Sequence, residues 1–342
     1  MQCLYLNIYT TICKSFHHTI HFSLIYYTNI IQQVMSMQIP APLKPNDTIG
    51  LIAPCSPIPY NKLIASIQCI NSLGYKVALG NSATCSLYGY LAGSDEIRAN
   101  DINSMFENDD INAIFCLRGG YGSTSIMEFL DYEMIRKHPK IFVGYSDITS
   151  YHLAFYTLCD LITFHGPMVS SNMVNDFDFY TKESFYQALS MPEVLHFENP
   201  TGYPMIPLVP GCAEGRVIGG CLSLVSPALS TFYQPDFCNT ILFLEDIDET
   251  LPRCDKMMYH LKNAGIFDRV NGVLLGNFKG CENPNAPSYS MLDFFQNFFC
   301  DYDKPVLYGI QSGHDKPMGT IPFGTVCNMD SEQCSVCFRY CP

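Results

Sequence analysis

A serine set between an apolar run and a helical pattern is the first feature of this sequence that could do covalent chemistry. Ser146 lies in Lys140-Ile-Phe-Val-Gly-Tyr-Ser-Asp-Ile-Thr-Ser-Tyr151. Ile141-Phe142-Val143 reads as a short buried strand, and Ile148, Tyr151, Leu153, Ala154 and Leu158 fall roughly on one helical face. A strand that turns sharply into a helix lifts the residue at the turn out of the sheet. It also aims the first free helix N–H groups at whatever binds there. Ser146 is therefore a candidate nucleophile beside a ready oxyanion site. The competing reading is that Ser146 or Asp147 is the N-cap of the helix, a position both residue types favour.

A serine nucleophile needs a base, and the base needs a group that orients it. Nine His are available. His138 and His196 sit in polar contexts that suggest surface, and others lie near the amino terminus. His152 is one turn into the helix after Ser146, and His165 ends an apolar run in His-Gly-Pro, where a core or bracing role competes with catalysis. His314 follows Gly313 and precedes Pro317, Thr320, Pro322 and Gly324, a loop stiff enough to hold an imidazole over a cleft. Acidic candidates cluster in Glu245-Asp-Ile-Asp-Glu249, directly after an apolar strand. Acidic runs are usually solvated, but the strand end makes burial of the first carboxylate, Glu245, plausible.

The elements that must position these groups alternate. Strands are expected at 48–53, 75–79, 113–117, 141–143 and 161–164, with helices from Asn61 to Leu73 and from a Ser94-Asp95-Glu96 cap to about Phe106. This βα alternation indicates an α/β fold with a parallel sheet, whose ligand site lies at the carboxyl ends of the strands. Arg118-Gly-Gly-Tyr-Gly122, Ser146 and His165 all fall at such ends. A Pro/Gly-rich stretch, residues 198–211, reads as a linker between a nucleophile domain at 37–197 and a carboxyl-terminal domain at 212–342. Further strands are expected at 241–244, 273–276, 306–310, 325–329 and 333–338, with a helix from about Arg253 to Ala264.

Composition narrows the class. With 342 residues and 48% apolar content the chain is globular, with room for two domains. A formal net charge of −13 without a basic stripe argues against nucleic acid and against an anionic membrane surface. Seventeen Cys without a repeating framework suggest reduced thiols and a cytoplasmic setting. Cys334, Cys337 and Cys341 lack a well-spaced fourth ligand and read as thiols of a terminal strand, so neither a metal nor a cofactor is expected. Residues 1–36 carry a single charged residue, Lys14, and no run of the ~20 apolar residues a membrane span needs. They are read as an appendage without catalytic residues.

Gly-Tyr-Ser146-Asp, Phe-Leu-Glu245-Asp and Gly-His314-x-x-Pro-x-x-Thr-x-Pro-x-Gly resemble the serine peptidases that include bacterial murein LD-carboxypeptidases and microcin C immunity peptidases. Leu91-Ala-Gly-Ser-Asp-Glu, Arg118-Gly-Gly-Tyr-Gly and Gly219-Gly220 stand in the expected order, and the resemblance covers about 37–329. It implies a triad of Ser146, His314 and Glu245, an α/β amino-terminal domain with a smaller β-rich, mixed α/β carboxyl-terminal domain, and a homodimer. The implied substrate is cytoplasmic murein tetrapeptide, which loses its terminal D-Ala. The backbone N–H groups of Asp147 and Gly120 are the expected oxyanion donors. Cys221 departs from the pattern, since Asn is frequent there. An immunity-type hydrolase of an aminoacyl-nucleotide is the alternative, disfavoured by the lack of any Trp as a stacking platform. An inactive binding protein on the same fold is a third.

Overall fold

Runs of Ile, Val, Leu and Phe in the first half of the chain pair into one sheet. The computed structural model describes residues 36–283 and 285–341. Strands β1 (Thr48–Ile52), β2 (Lys76–Leu79), β3 (Ala113–Cys116), β4 (Ile141–Gly144) and β5 (Thr163–His165) lie in parallel in the order β5-β4-β3-β1-β2. Every residue of β3 and β4 is buried. This is why these strands read as unbroken apolar runs: a parallel sheet is covered on both faces. The cover comes from helices α1 (Tyr60–Ser72), α2 (Asp95–Glu107), α3 (Tyr132–Lys137) and α4 (Thr149–Cys159). Ser94 caps α2 as its sequence suggests, accepting from the Ile97 N–H at 3.4 Å.

The second sheet has eight strands and is mixed. Its order is β6 (Val194–Phe197), β14 (Ser335–Arg339), β13 (Val326–Asp330), β8 (Cys212–Cys221), β9 (Thr240–Ile247), β10 (Gly272–Lys279), β11 (Val306–Tyr308) and β7 (Ile206–Val209). The central strands β8 to β11 are parallel, and the flanking ones pair antiparallel. Helices α5 (Phe179–Leu189), α6 (Leu251–Asn263) and α7 (Met291–Phe298) complete this half. The chain is thus a mixed α/β protein with two sheets.

Several elements were absent from the sequence pattern, β6 and the long β8 among them. The Pro/Gly-rich stretch contains β7, and β12 (Ile321–Phe323) adds antiparallel to β5 at the edge of the first sheet. Both strands carry a proline, Pro207 and Pro322, and both are edge strands, where a missing N–H costs no ladder bond. The expected appendage lies, but for Ser36, outside the described residues. The described cysteines are free thiols, and Cys334, Cys337 and Cys341 are half-buried in and around β14. Among the described residues, no helix is long and apolar enough to cross a membrane.

Candidate active site

Ser146 stands at the carboxyl end of β4 with φ of +67°, a left-handed conformation that a residue with a side chain rarely adopts. Such backbone strain costs on the order of 1–3 kcal/mol and persists only where the surroundings enforce it. A short turn, Ser146–Ile148, then leads into α4. The surroundings are tight. A Cβ on Gly144 would fall 2.9 Å from the Ile148 side chain, and one on Gly119 would fall 2.9 Å from Ser146 Cβ and 3.2 Å from Asp147 N. The glycine turn after β3 therefore packs directly on the serine. The helix-cap reading does not hold: the N-cap of the short turn is Tyr145 and that of α4 is Ile148, neither with a side-chain cap bond. The Asp147 carboxylate instead accepts from Ser123 N at 2.8 Å and Ser123 Oγ at 2.9 Å, tying the serine turn to the β3 loop. Burial pushes the Asp147 carboxyl above its usual range, against the pull of its hydrogen bonds. Among the described residues the Ser146 hydroxyl has no hydrogen-bond partner.

His314 Nδ1 donates to Glu245 Oε2 at 2.7 Å, with the Glu245 side chain fully buried and that of His314 9% exposed. Glu245 comes from β9, where Cys221 of β8 is its register partner. Gly313 has φ of +125°, and a Cβ there would lie 2.6 Å from Glu245 Oε2, so only glycine lets the loop lie this close. Burial pulls the His314 imidazole down, but the Glu245 charge and hydrogen bond, followed by Asp246 and Asp248, outweigh it. The net effect holds His314 above its ordinary value. Tyr145, the residue before Ser146, meets the His314 ring edge-on at 4.8 Å between centroids. The fold thus pairs His314 with Glu245 and sets the residue preceding Ser146 against the imidazole. Ser146 and His314 are not hydrogen-bonded; catalytic contacts of this kind commonly tighten only around a substrate.

The other histidines do different work. His165 is fully buried among Tyr145, Phe243 and Phe323, and neither ring nitrogen has a partner. Burial, with His152 and His314 nearby, drives it well below its ordinary range, so it stays neutral. His152 is bonded to Thr163 Oγ1 at 2.8 Å and Gly144 O at 2.9 Å, and burial pushes it down to about 4. His138 lies by exposed Asp109, and His196 is exposed on β6.

Gly120 has φ of +104°, and a Cβ there would sit 2.3 Å from Ser56 Oγ. The N–H groups of Gly120 and Asp147 have no acceptor among the described residues, as groups awaiting an oxyanion would be. Asp246 and Arg98 are among the buried charges that escaped the sequence pattern. Asp246 is 1% exposed and accepts from Ser223 N at 2.8 Å, Ile247 N at 2.8 Å and Cys221 Sγ at 3.3 Å. Arg98, in α2, is wholly buried. Its spacing from Asp95 was the one available signal, and such pairs usually face solvent. Among the described residues, no group of three or more His, Cys, Asp or Glu could hold a metal ion.

Family models described as the LD-carboxypeptidase N-terminal domain and C-terminal domain match residues 49–166 and 214–329. The "Probable murein peptide carboxypeptidase" of Bacillus subtilis (strain 168) is 37% identical over 296 residues, covering 86% of this chain and 92% of that protein. Among solved structures, microcin C7 self-immunity protein MccF in complex with aspartyl sulfamoyl adenosine superposes with a TM-score of 0.83 at 26% identity, covering 89% of this chain and 100% of that one. The muramoyltetrapeptide carboxypeptidase from Oxalobacter formigenes does so at 0.75 and 26% identity, covering 85% and 97%.

Proposed function

This chain belongs to the LD-carboxypeptidase family, and from that premise we propose that it is a serine peptidase releasing the terminal D-Ala from murein tetrapeptide. The observation that carries the reading is the 2.7 Å bond from His314 to buried Glu245, beside a serine held at positive φ. Ser146 Oγ attacks the scissile carbonyl carbon, and its proton passes to His314 Nε2. Glu245 fixes the tautomer through Nδ1–H and stabilises the imidazolium. The oxyanion is met by the N–H groups of Asp147 and Gly120; one such donor is typically worth about 3 kcal/mol. The C–N bond then breaks, with His314 returning its proton to the departing D-Ala amine. Water attacks the resulting ester, gives a proton to His314, and the acid product leaves as Ser146 recovers its hydrogen. This chemistry needs no metal and no cofactor.

The reading places the enzyme in the cytoplasm as a homodimer, with a nucleophile domain at 37–197 and a second domain at 212–342 supplying Glu245 and His314. The thiol-rich composition suits a reducing compartment. A second reading, hydrolysis of an aminoacyl-nucleotide, draws support from the likeness to the microcin immunity protein holding aspartyl sulfamoyl adenosine. The lack of Trp weighs against it. Offering the purified protein murein tetrapeptide and aspartyl sulfamoyl adenosine in parallel, with mass detection of D-Ala and of the freed nucleoside, separates the two. Release of D-Ala is expected; nucleoside release alone would replace the first reading with the second.

A further inference from the structure

Arg98 is a charged side chain that the mechanism leaves unused, yet it is 0% exposed. Burying a guanidinium costs several kcal/mol unless its donors are matched, so its partners define what it is for. Nη1 donates to Pro54 O at 3.1 Å and to Gly122 O at 2.6 Å. Nη2 donates to Ser125 Oγ at 3.0 Å and pairs with Asp95. Pro54 belongs to the loop after β1, and Gly122 to the loop after β3. One planar group thus joins two loops at the ligand edge of the first sheet. The same loops meet again at Ser56, whose N–H donates to Gly119 O at 3.1 Å and whose Oγ accepts from Tyr121 N at 3.1 Å. Gly120 lies between these two fastenings. Gly122 has φ of +121°, and a Cβ there would fall 2.7 Å from Arg98 Nη1, so the loop has been given a glycine where the guanidinium approaches. The next residue, Ser123, grips the Asp147 carboxylate twice.

We propose that Arg98 is the positioning residue of the oxyanion site: its buried guanidinium clamps the 119–123 turn so that the Gly120 and Asp147 N–H groups converge beside Ser146. The proposal rests on the serine-peptidase reading. Lysine presents a single ammonium point and cannot hold the two carbonyls met by Nη1 together with the Ser125 and Asp95 oxygens met by Nη2, as a planar guanidinium does. In Arg98→Lys, kcat is expected to fall about 10²-fold, the scale of one lost oxyanion donor, with KM changed less than about threefold. Affinity for a peptide boronic acid, whose serine adduct carries the tetrahedral negative charge, falls by a similar factor. Gly122→Ala, which presses on the clamp from the loop side, gives the same pattern. Circular dichroism and thermal melts confirm that each variant is folded.

The proposal is overturned if either folded variant keeps wild-type kcat, or if activity drops while boronate affinity is unchanged. It is overturned as well if neither variant folds, since Arg98 then serves the core alone. Wild-type protein that releases no D-Ala from tetrapeptide refutes the serine-peptidase reading instead, so the two failures are distinguishable.

Discussion

The His314 imidazole is drawn down by burial and drawn up by Glu245, and the upward pull prevails. A general base works only when neutral, so activity is lost as pH falls through its pKa. The acidic limb of kcat/KM is therefore expected to have its midpoint above about 6.5, the ordinary imidazole value. In Glu245→Gln the larger part of the upward pull is gone: the midpoint moves down, and kcat falls, though less than in Ser146→Ala, because nucleophile and base both remain. A pH–rate series on wild type and variant checks this, and an unmoved midpoint would count against the pairing. Asp246 behaves differently. It accepts from several donors, and an amide would turn an NH₂ towards one of them. Asp246→Asn is expected to destabilise the fold by about 1–3 kcal/mol while the folded fraction keeps its triad. Burial first, and the Glu245 charge second, push the Asp246 carboxyl up to about 6. The folded state then holds this proton more tightly than the unfolded chain does. The side chain's contribution is full below about pH 4 and is lost as pH rises through about 6. Urea midpoints of wild type and Asp246→Asn should accordingly draw closer between those limits.

At the level of the element, the turn glycines decide whether the groups meet. Gly313→Ala forces a Cβ to 2.6 Å from Glu245 Oε2 at a φ of +125°. It is expected to lower kcat at least tenfold, with a downward shift of the acidic limb and little change in KM, since the His–Glu bond is what gives way. Steady-state kinetics across pH checks this; a wild-type pH profile would show that the loop tolerates the crowding. The same elements show how far the sequence could be read. β1, β3, β4 and β9 are fully apolar at their cores and stand out as strands. Ser146, His314 and Glu245 could be singled out as candidates because each follows an apolar run or sits in a rigid glycine loop. β7 and β12 were not legible: they are three or four residues long and each contains a proline, which argues against a strand except at an edge. The positive φ of Ser146 was not legible either, because the Gly119 turn that packs on the serine comes from a distant part of the sequence. Asp246 stood in an acidic run, and such runs are usually solvated, while Arg98 carried no signal of burial; both are buried by contacts with parts of the chain distant in sequence.

Across the whole molecule, one strand ties the halves together. β12 arrives late in the chain yet pairs with β5, so that Ile321 lies opposite His165. A fragment comprising residues 37–197 would lack β12 and would expose the buried His165 edge. It is expected to give no cooperative thermal transition by circular dichroism, whereas the longer chain does. An independent, sharp melt of the fragment would show that the first sheet is self-sufficient. The loop bearing His314 leads into β12, so disruption of β12 is expected to cost activity as well as stability.

In the proposed mechanism Ser146 carries the acyl transfer. Mass detection of D-Ala released from murein tetrapeptide by wild type and by Ser146→Ala, each shown folded by circular dichroism, tests it most directly. The account predicts release by wild type and a loss on the order of 10⁴-fold or more in kcat for the variant, with His314→Ala nearly as inactive. Near-wild-type release by folded Ser146→Ala, or an active His314→Ala beside a dead His165→Ala, would contradict it.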